Sequence, residues 1–421
     1  MALRIRAGAG LATLLAVAGI GFTDAPSALA LRPIPDTTGT IAVWDDQLPD
    51  DMTAAQVRFV ASHIAGTQKV SLQTARRLRA VNPRFLVLHY RLAIGDGPVP
   101  FRIGDHWASD YATVRPHSSW FWHQDGRRVL NRQWNWYLMN PSSGWRAYWV
   151  RRVRYEARLL GDDGVFADSL SVPQYLGASS FSPPLRYFVG ERAWMRRIDA
   201  FMHYVERQLH GRLWFIPNAG SWITTRDRTD YAIPDGVMVE GFAEPGAGAS
   251  YATGDWELQM NRVLSLTRRG RIVIGQTYPA AGDVRARLFA LGSYLLTKGR
   301  HSFINLDVAG IAAQWLPEYG IDLGAPLSPP AAGIDRLRIP GGLFLRRFAH
   351  GEVAVNPTGS ARSYRYTGTL DVVTPHGGGA LAPDAHTTGW RLSYGRATRS
   401  VTVPAHSAVI LLRGRTGSAS S

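Results

Sequence analysis

Gly164-Val165-Phe166-Ala167-Asp168-Ser169 is an apolar run that stops at a carboxylate, and Gly236-Val237-Met238-Val239-Glu240-Gly241 repeats the design. Each reads as a buried strand. Side chains alternate along a strand, so Phe166 shares a face with Asp168, and Met238 with Glu240. In a closed parallel barrel both acids would point inward at the carboxyl-end rim, where barrel enzymes place their chemistry. Two acids facing one cleft are the minimum equipment for breaking a glycosidic bond.

Working outward from these two runs, strands are expected at Thr40–Asp45, Arg58–Ala65, Arg84–Tyr90, Leu213–Asn218, Arg271–Thr277 and His301–Leu306. With the first two this makes the eight parallel strands of a (β/α)8 TIM barrel, an α/β fold. Helical periodicity fills the gaps. Trp145, Trp149, Val153, Ala157 and Leu160 step by three or four, as do Trp194, Ile198, Phe201, Val205 and Leu209. Trp256, Met260 and Val263 repeat the pattern, and so do Val284, Leu288, Leu291 and Leu295. Such stripes pack against the barrel; they are core, not cofactor boxes.

The interval between the third and fourth strands is long. Residues 91–143 carry Trp107, Trp120, Phe121, Trp122, Trp134, Trp136 and Tyr137 among polar residues. Long ordered loops in compact domains are usually functional. Flat aromatic faces suit the apolar faces of sugar rings. Most of these rings are expected to pack on one another, with Trp122 the candidate to meet a ligand.

The chain opens with Arg4 and Arg6, an apolar run from Ala7 to Phe22, and Ala28-Leu29-Ala30. That is the layout of a cleavable secretory signal over residues 1–30, too short in its apolar part for a membrane span. A secreted or cell-envelope protein without stable membrane insertion is expected. The barrel would occupy residues 31–326. Pro326, Pro329 and Pro330 mark a linker, and residues 333–413 alternate in short runs with glycine-rich turns, the pattern of a small antiparallel β-sandwich. Residues 414–421 read as a disordered tail.

There are 47 basic and 32 acidic residues and no cysteine, which excludes disulfides, thiol nucleophiles and thiolate metal sites. Lys69 and Lys298 are the only lysines. The bases are scattered and match no nucleic-acid motif, so no nucleic-acid partner is expected. Sequence gives no sign of oligomeric state.

Polar residues recur where the strands end: Asp45 or Asp46 on the first, His89 or Tyr90 on the third, Asn218 on the fifth, Gln276 on the seventh, Asn305 or Asp307 on the eighth. A solvated rim would account for two or three of them. A ring contributed by nearly every strand is what a pocket for hydroxyl groups requires. Asp168 and Glu240 are the candidate catalytic pair, since a carboxylate ending a buried strand needs a function or a partner. Glu244, in the loop, competes with Glu240 as the acid. Asp45, Asp46, His89, Tyr90, Trp122, Asn218, Glu244, Gln276 and Asn305 are the candidate substrate contacts. There is no G-x-S-x-G, P-loop, G-x-G-x-x-G after a strand, or H-E-x-x-H. His63 and His89 could meet over the barrel mouth, but two histidines without a third ligand are weak evidence for metal, and no metal or cofactor is expected.

Ile41-Ala42-Val43-Trp44-Asp45-Asp46, Asp163 to Asp168, Val237 to Phe242 and Arg347 to Pro357 together resemble glycoside hydrolases, most closely the hypothetical glycosyl hydrolase family 15. The resemblance spans roughly residues 40–412. More remotely the chain is similar to α-galactosidases and polygalactosaminidases, whose catalytic acids follow strands four and six. The resemblance implies a barrel with an appended sandwich, and it places the acids at Asp168 and Glu240. The α-galactosidase pattern has aspartate at the second site, from which Glu240 departs. The expectation is a secreted glycosidase with Asp168 as nucleophile or base, Glu240 as general acid, and a polysaccharide or oligosaccharide substrate. The alternatives are a catalytically silent carbohydrate-binding barrel and an envelope protein held by its basic surface.

Overall fold

Eight short apolar runs form one parallel sheet: β1 (Val43–Asp45), β2 (Ile64–Gln68), β3 (Leu86–Leu92), β4 (Gly164–Asp168), β5 (Trp214–Pro217), β6 (Gly236–Glu240), β7 (Ile272–Thr277) and β8 (Ser302–Leu306). The order across the sheet is β5-β4-β3-β2-β1-β8-β7-β6. Its two edges meet where Asn218 bridges Met238 and the Ala219 N–H donates to the Met238 carbonyl at 3.0 Å, so the chain makes a (β/α)8-type barrel. This is a computed structural model, and it describes residues 31–98, 110–172 and 180–414. The leader expected at 1–30, Trp107 and the tail beyond Gly414 lie outside the described residues.

Close strand packing explains Gly164: a Cβ there would stand 2.5 Å from the Trp214 carbonyl oxygen and 2.7 Å from Leu88 Cδ2. The register then levels the strand ends. Leu92 pairs with Asp168, Glu240 with Gln276, and Gln276 with Asn305. Neighbours level in a parallel sheet point to the same face, so the last three line one stretch of rim.

The second strand is displaced from its expected place. Residues Ala54–His63 are helix α1, and β2 starts only at Ile64. A capping box decides this. Thr53 Oγ1 accepts from the Gln56 N–H at 3.1 Å, and Gln56 Oε1 accepts from the Thr53 N–H at 3.0 Å. That local start outweighs the β-branched composition of the segment.

Helices α2 (Leu72–Val81), α3 (Trp145–Leu160), α4 (Tyr187–Leu209), α5 (Thr253–Arg268) and α6 (Val284–Thr297) follow. The apolar stripes of α3 and α4 expected from sequence are buried throughout. No helix forms between β5 and β6. There Arg262 gathers the loop by donating to the carbonyls of Trp222, Thr224 and Asp227.

Helix α6 is buried nearly all round because a second sheet covers its outer face. Strands β9 (Arg338–Ile339), β10 (Leu343–Arg347), β11 (Gly351–Asn356), β12 (Arg362–His376), β13 (Arg391–Val403) and β14 (Ser407–Arg413) pair in the order β9-β10-β11-β14-β12-β13, antiparallel throughout. Phe344, Val353, Val355, Ala408 and Ile410 join the barrel core, while Leu343, Leu345, Ala354, Val409 and Leu411 form a second cluster with Tyr364 and Val403. Both faces are therefore filled. Gly292 of α6 lets this sheet approach: a Cβ there would lie 2.5 Å from Ala408 Cβ. Among the described residues no helix is long and apolar enough to cross a membrane.

Candidate active site

Asp168 and Glu240 end β4 and β6 and are joined through β5. Asn218 Nδ2 donates to Asp168 Oδ1 at 2.9 Å and to Glu240 Oε2 at 2.7 Å. Two bonds from one nitrogen hold those oxygens within about 5.6 Å of each other. Each remaining oxygen takes a tyrosine: Tyr90 donates to Asp168 Oδ2 at 2.5 Å, and Tyr278 donates to Glu240 Oε1 at 2.5 Å. The Ser169 N–H completes the shell of Asp168 at 2.7 Å.

These bonds do not act equally on the two acids. Burial, then the like charge of Asp168, lift Glu240 above the ordinary glutamate value, against the hydrogen bonds from Tyr278 and Asn218. Burial also raises both tyrosines, so they remain hydroxyl donors. Gln276 steadies Tyr278, its Nε2 donating to the phenol oxygen at 2.6 Å, and its Oε1 lies 3.2 Å from the Asn305 amide.

Beside the pair lies an ion pair. Lys69 Nζ contacts Asp46 Oδ2 at 2.6 Å, and Gln68 Nε2 donates to Asp46 Oδ1. The ammonium stands 4.9 Å from the centroid of the Tyr90 ring. Burial pulls the Lys69 pKa down, but Asp46, Asp168 and Glu240 outweigh it and hold it above its ordinary value. Asp45 is buried on the other side of β1's end, its Oδ1 accepting from the Gln47 N–H at 3.0 Å. Burial, with Asp307 and Asp46 adding, raises its pKa well above the aspartate range. Asp307 is likewise raised by burial, and Asp46 and Lys69 both act on it.

The backbone turns left-handed immediately after three of these strand ends: Lys69 has φ 65°, Ser169 58° and Gly241 77°. Only glycine adopts this region freely, and non-glycine residues held there tend to cluster at functional sites.

The other expected contacts fall outside the cluster. Alternation turns Tyr90 inward and His89 outward, so His89 is no rim residue. Its Nε2 lies 3.0 Å from Glu156 Oε2 and its Nδ1 3.4 Å from Asp162 Oδ2. His63 does not meet it; it is exposed, stacking on Phe59 and lying edge-on to Trp315. Glu244 is buried but separated from the pair, because Gly241 and Ala243, both at positive φ, redirect the chain. The charges facing it are Arg285 and Asp283, and burial pushes its carboxyl up to about 7. Trp122 packs edge-on against Trp194 at 5.1 Å, with the Arg197 guanidinium 5.2 Å from its ring. It is engaged in the packing of the long loop, like Trp120 on His117 and Trp136 on Phe181.

Lys69 and Tyr278 are the two residues that reading the sequence passes over. A signal existed for the first. In a chain that uses arginine almost everywhere, it is one of only two lysines, and its side chain is half-buried, 15% exposed. Among the described residues, Glu206, His210 and Asp235 alone offer a metal-sized trio, with ligand atoms within 4.8 Å of one another. They stand at the opposite end of β6 from Glu240.

The family model for hypothetical glycosyl hydrolase family 15 matches residues 79–352. No curated protein matches the sequence. Among solved structures, the chain is similar to a cycloisomaltooligosaccharide glucanotransferase from Paenibacillus sp. (11% identity, 90% of this chain and 55% of that one, TM-score 0.37). It is also similar to a pullulanase from Bacillus acidopullulyticus (10%, 91% and 62%, TM-score 0.45). A noncanonic maltogenic α-amylase from Thermotoga neapolitana is a third (11%, 89% and 98%, TM-score 0.43). The chain spans less than two thirds of the first two proteins. At these scores the likeness carries no inference about residues or substrate.

Proposed function

As the chain belongs to hypothetical glycosyl hydrolase family 15 and is a glycoside hydrolase, we propose that it cleaves an O-glycosidic bond of an oligosaccharide or polysaccharide with Asp168 and Glu240, retaining the anomeric configuration. The observation that carries this reading is the shared Asn218 donor, which keeps Asp168 Oδ1 and Glu240 Oε2 no more than about 5.6 Å apart. That is near the roughly 5–5.5 Å of retaining enzymes and short of the roughly 6.5–9.5 Å that inversion needs to admit a water.

Asp168, ionised, attacks the anomeric carbon as the bond to the leaving oxygen breaks, and an ester to the sugar forms. Glu240 supplies the proton to the leaving oxygen, a role that suits its raised pKa. Glu240, now a carboxylate, takes a proton from water. That water attacks the anomeric carbon, the ester bond breaks, and Asp168 is regenerated. Asn218, Tyr90 and Tyr278 hold both acids in place through these steps, and Asp46, Gln276 and Asn305 offer hydrogen bonds to sugar hydroxyls.

We also propose export, on the strength of the leader-like residues 1–30. Mature protein recovered from the medium or envelope should begin at Leu31; an intact leader would count against it.

The test of the catalytic reading is reducing-end release from a panel of polysaccharides. Asp168→Asn and Glu240→Gln should each lose turnover by orders of magnitude while keeping glycan affinity. Glycan binding with no turnover in the native protein would instead make it a carbohydrate-binding barrel.

A further inference from the structure

Asp168 is faced from several elements at once. Tyr90 from β3 donates to it, and Glu240 from β6 and Lys69 from just past β2 couple to its charge, while Asp46 from just past β1, Asp307 from just past β8 and Tyr278 from just past β7 act in turn on Lys69 or Glu240. In this set Asp46, Glu240 and Asp307 are acids, Tyr90 and Tyr278 are neutral donors, and Lys69 is the cation. Two carboxyls this close cannot both ionise cheaply without a positive charge nearby.

Lys69 meets that need by position. It is paired to Asp46 at 2.6 Å and seated 4.9 Å from the centre of the Tyr90 ring, whose hydroxyl in turn holds Asp168 at 2.5 Å. Its backbone is held at φ 65°, a conformation that costs a non-glycine residue and persists only where the surroundings impose it. An ammonium is a compact point charge, and it fits between a carboxylate and an aromatic face without the planar fork of arginine.

We propose that Lys69 is a positioning residue of this reaction: from its seat between Asp46 and Tyr90 it supplies the countercharge that keeps Asp168 anionic while Glu240 holds the proton. The proposal rests on the reading of Asp168 as nucleophile and Glu240 as acid. Coupling between charges is reciprocal, and Lys69 is itself held charged by Asp46, Asp168 and Glu240 against the pull of burial.

The experiment is the pH dependence of kcat/KM in Lys69→Met, Lys69→Arg and the double variant Asp46→Asn/Lys69→Met. Lys69→Met should move the acid limb up by about one pH unit. Lys69→Arg keeps the charge, so the limb should stay in place even where the bulkier planar guanidinium lowers kcat. The double variant removes one charge of each sign and should bring the limb back toward its native position. A Lys69→Met enzyme that is merely slower, with its acid limb unmoved, overturns the proposal.

A readout independent of turnover separates this from the catalytic reading. The ¹³C carboxyl titration that disappears in Asp168→Asn should shift to higher pH in Lys69→Met. If no glycan is cleaved but this shift occurs, the glycosidase reading fails and the electrostatic role of Lys69 stands. If glycans are cleaved and the titration does not move, the reverse holds.

Discussion

Asp168 and Glu240 hang on the same nitrogen: Asn218 Nδ2 lies 2.9 Å from an oxygen of the first and 2.7 Å from an oxygen of the second. The donor sits at the seam where β5 meets β6, so the geometry of the pair depends on barrel closure. Asn218→Ala removes both bonds and frees the two carboxyls to drift. A misplacement of about 1 Å can cost about 100-fold in rate. We expect kcat to fall by about that factor with KM changed much less, measured by steady-state kinetics. An unchanged kcat would mean that the shared donor does not set the pair.

Retention can be read directly. The first product formed should carry the anomeric configuration of the substrate, followed by ¹H NMR before mutarotation. Initial appearance of the opposite anomer would require a water between the acids and would contradict a separation this short.

Tyr90 and His89 are neighbours in sequence with opposite fates. Tyr90→Phe removes a hydrogen bond to a charged carboxylate, a contact of about 1.5–3 kcal/mol, so activity should fall roughly 10- to 100-fold with little loss of Tm. His89→Gln should do the reverse. It breaks the contacts to Glu156 and Asp162 outside the barrel, lowering Tm while kcat/KM holds.

Glu244 should shape stability rather than chemistry. Its carboxyl is buried, Oε1 has no hydrogen-bond partner, and its pKa is pushed from 4.5 up to about 7. The folded protein therefore binds the proton more tightly than the unfolded chain does. Its contribution is full below about pH 4.5 and is lost as pH rises toward 7. Glu244→Gln should raise Tm at pH 8 and change it little at pH 4.5, measured by thermal melts across pH.

Arg287 of α6 and Glu318 form a two-bond ion pair, 2.7 Å at each contact, with side chains 1% and 0% exposed. Removing one partner strands a buried charge. Arg287→Met should cost about 3–5 kcal/mol in urea unfolding, and Arg287→Met/Glu318→Leu should recover most of it. Additive losses in the double variant would show that the two do not act as a pair.

The strand-end acids were legible because alternation is a local rule. Once an apolar run is taken as a strand, the side of its last residue follows. The same rule left His89 and Tyr90 undecided, since the parity of β3 depends on its register with β4, where Leu92 meets Asp168. Lys69 was hidden by a boundary. A strand placed at Arg58–Ala65 ends four residues before it, whereas β2 runs to Gln68 and leaves Lys69 at the rim. Tyr278 stands one residue past the end of β7, where alternation no longer applies.

What the amino-acid order determined by itself is seven of the eight strands and the carboxylates that end β1, β4 and β6, because hydrophobic period and strand pleat act over a few residues. Only the tertiary structure decided that Asp168 faces Glu240 rather than Glu244, and that Lys69 and Asn218 join them. Those choices depend on how β4, β5 and β6 meet in the closing barrel and on the left-handed turns that follow the strands, and neither is written in any single segment.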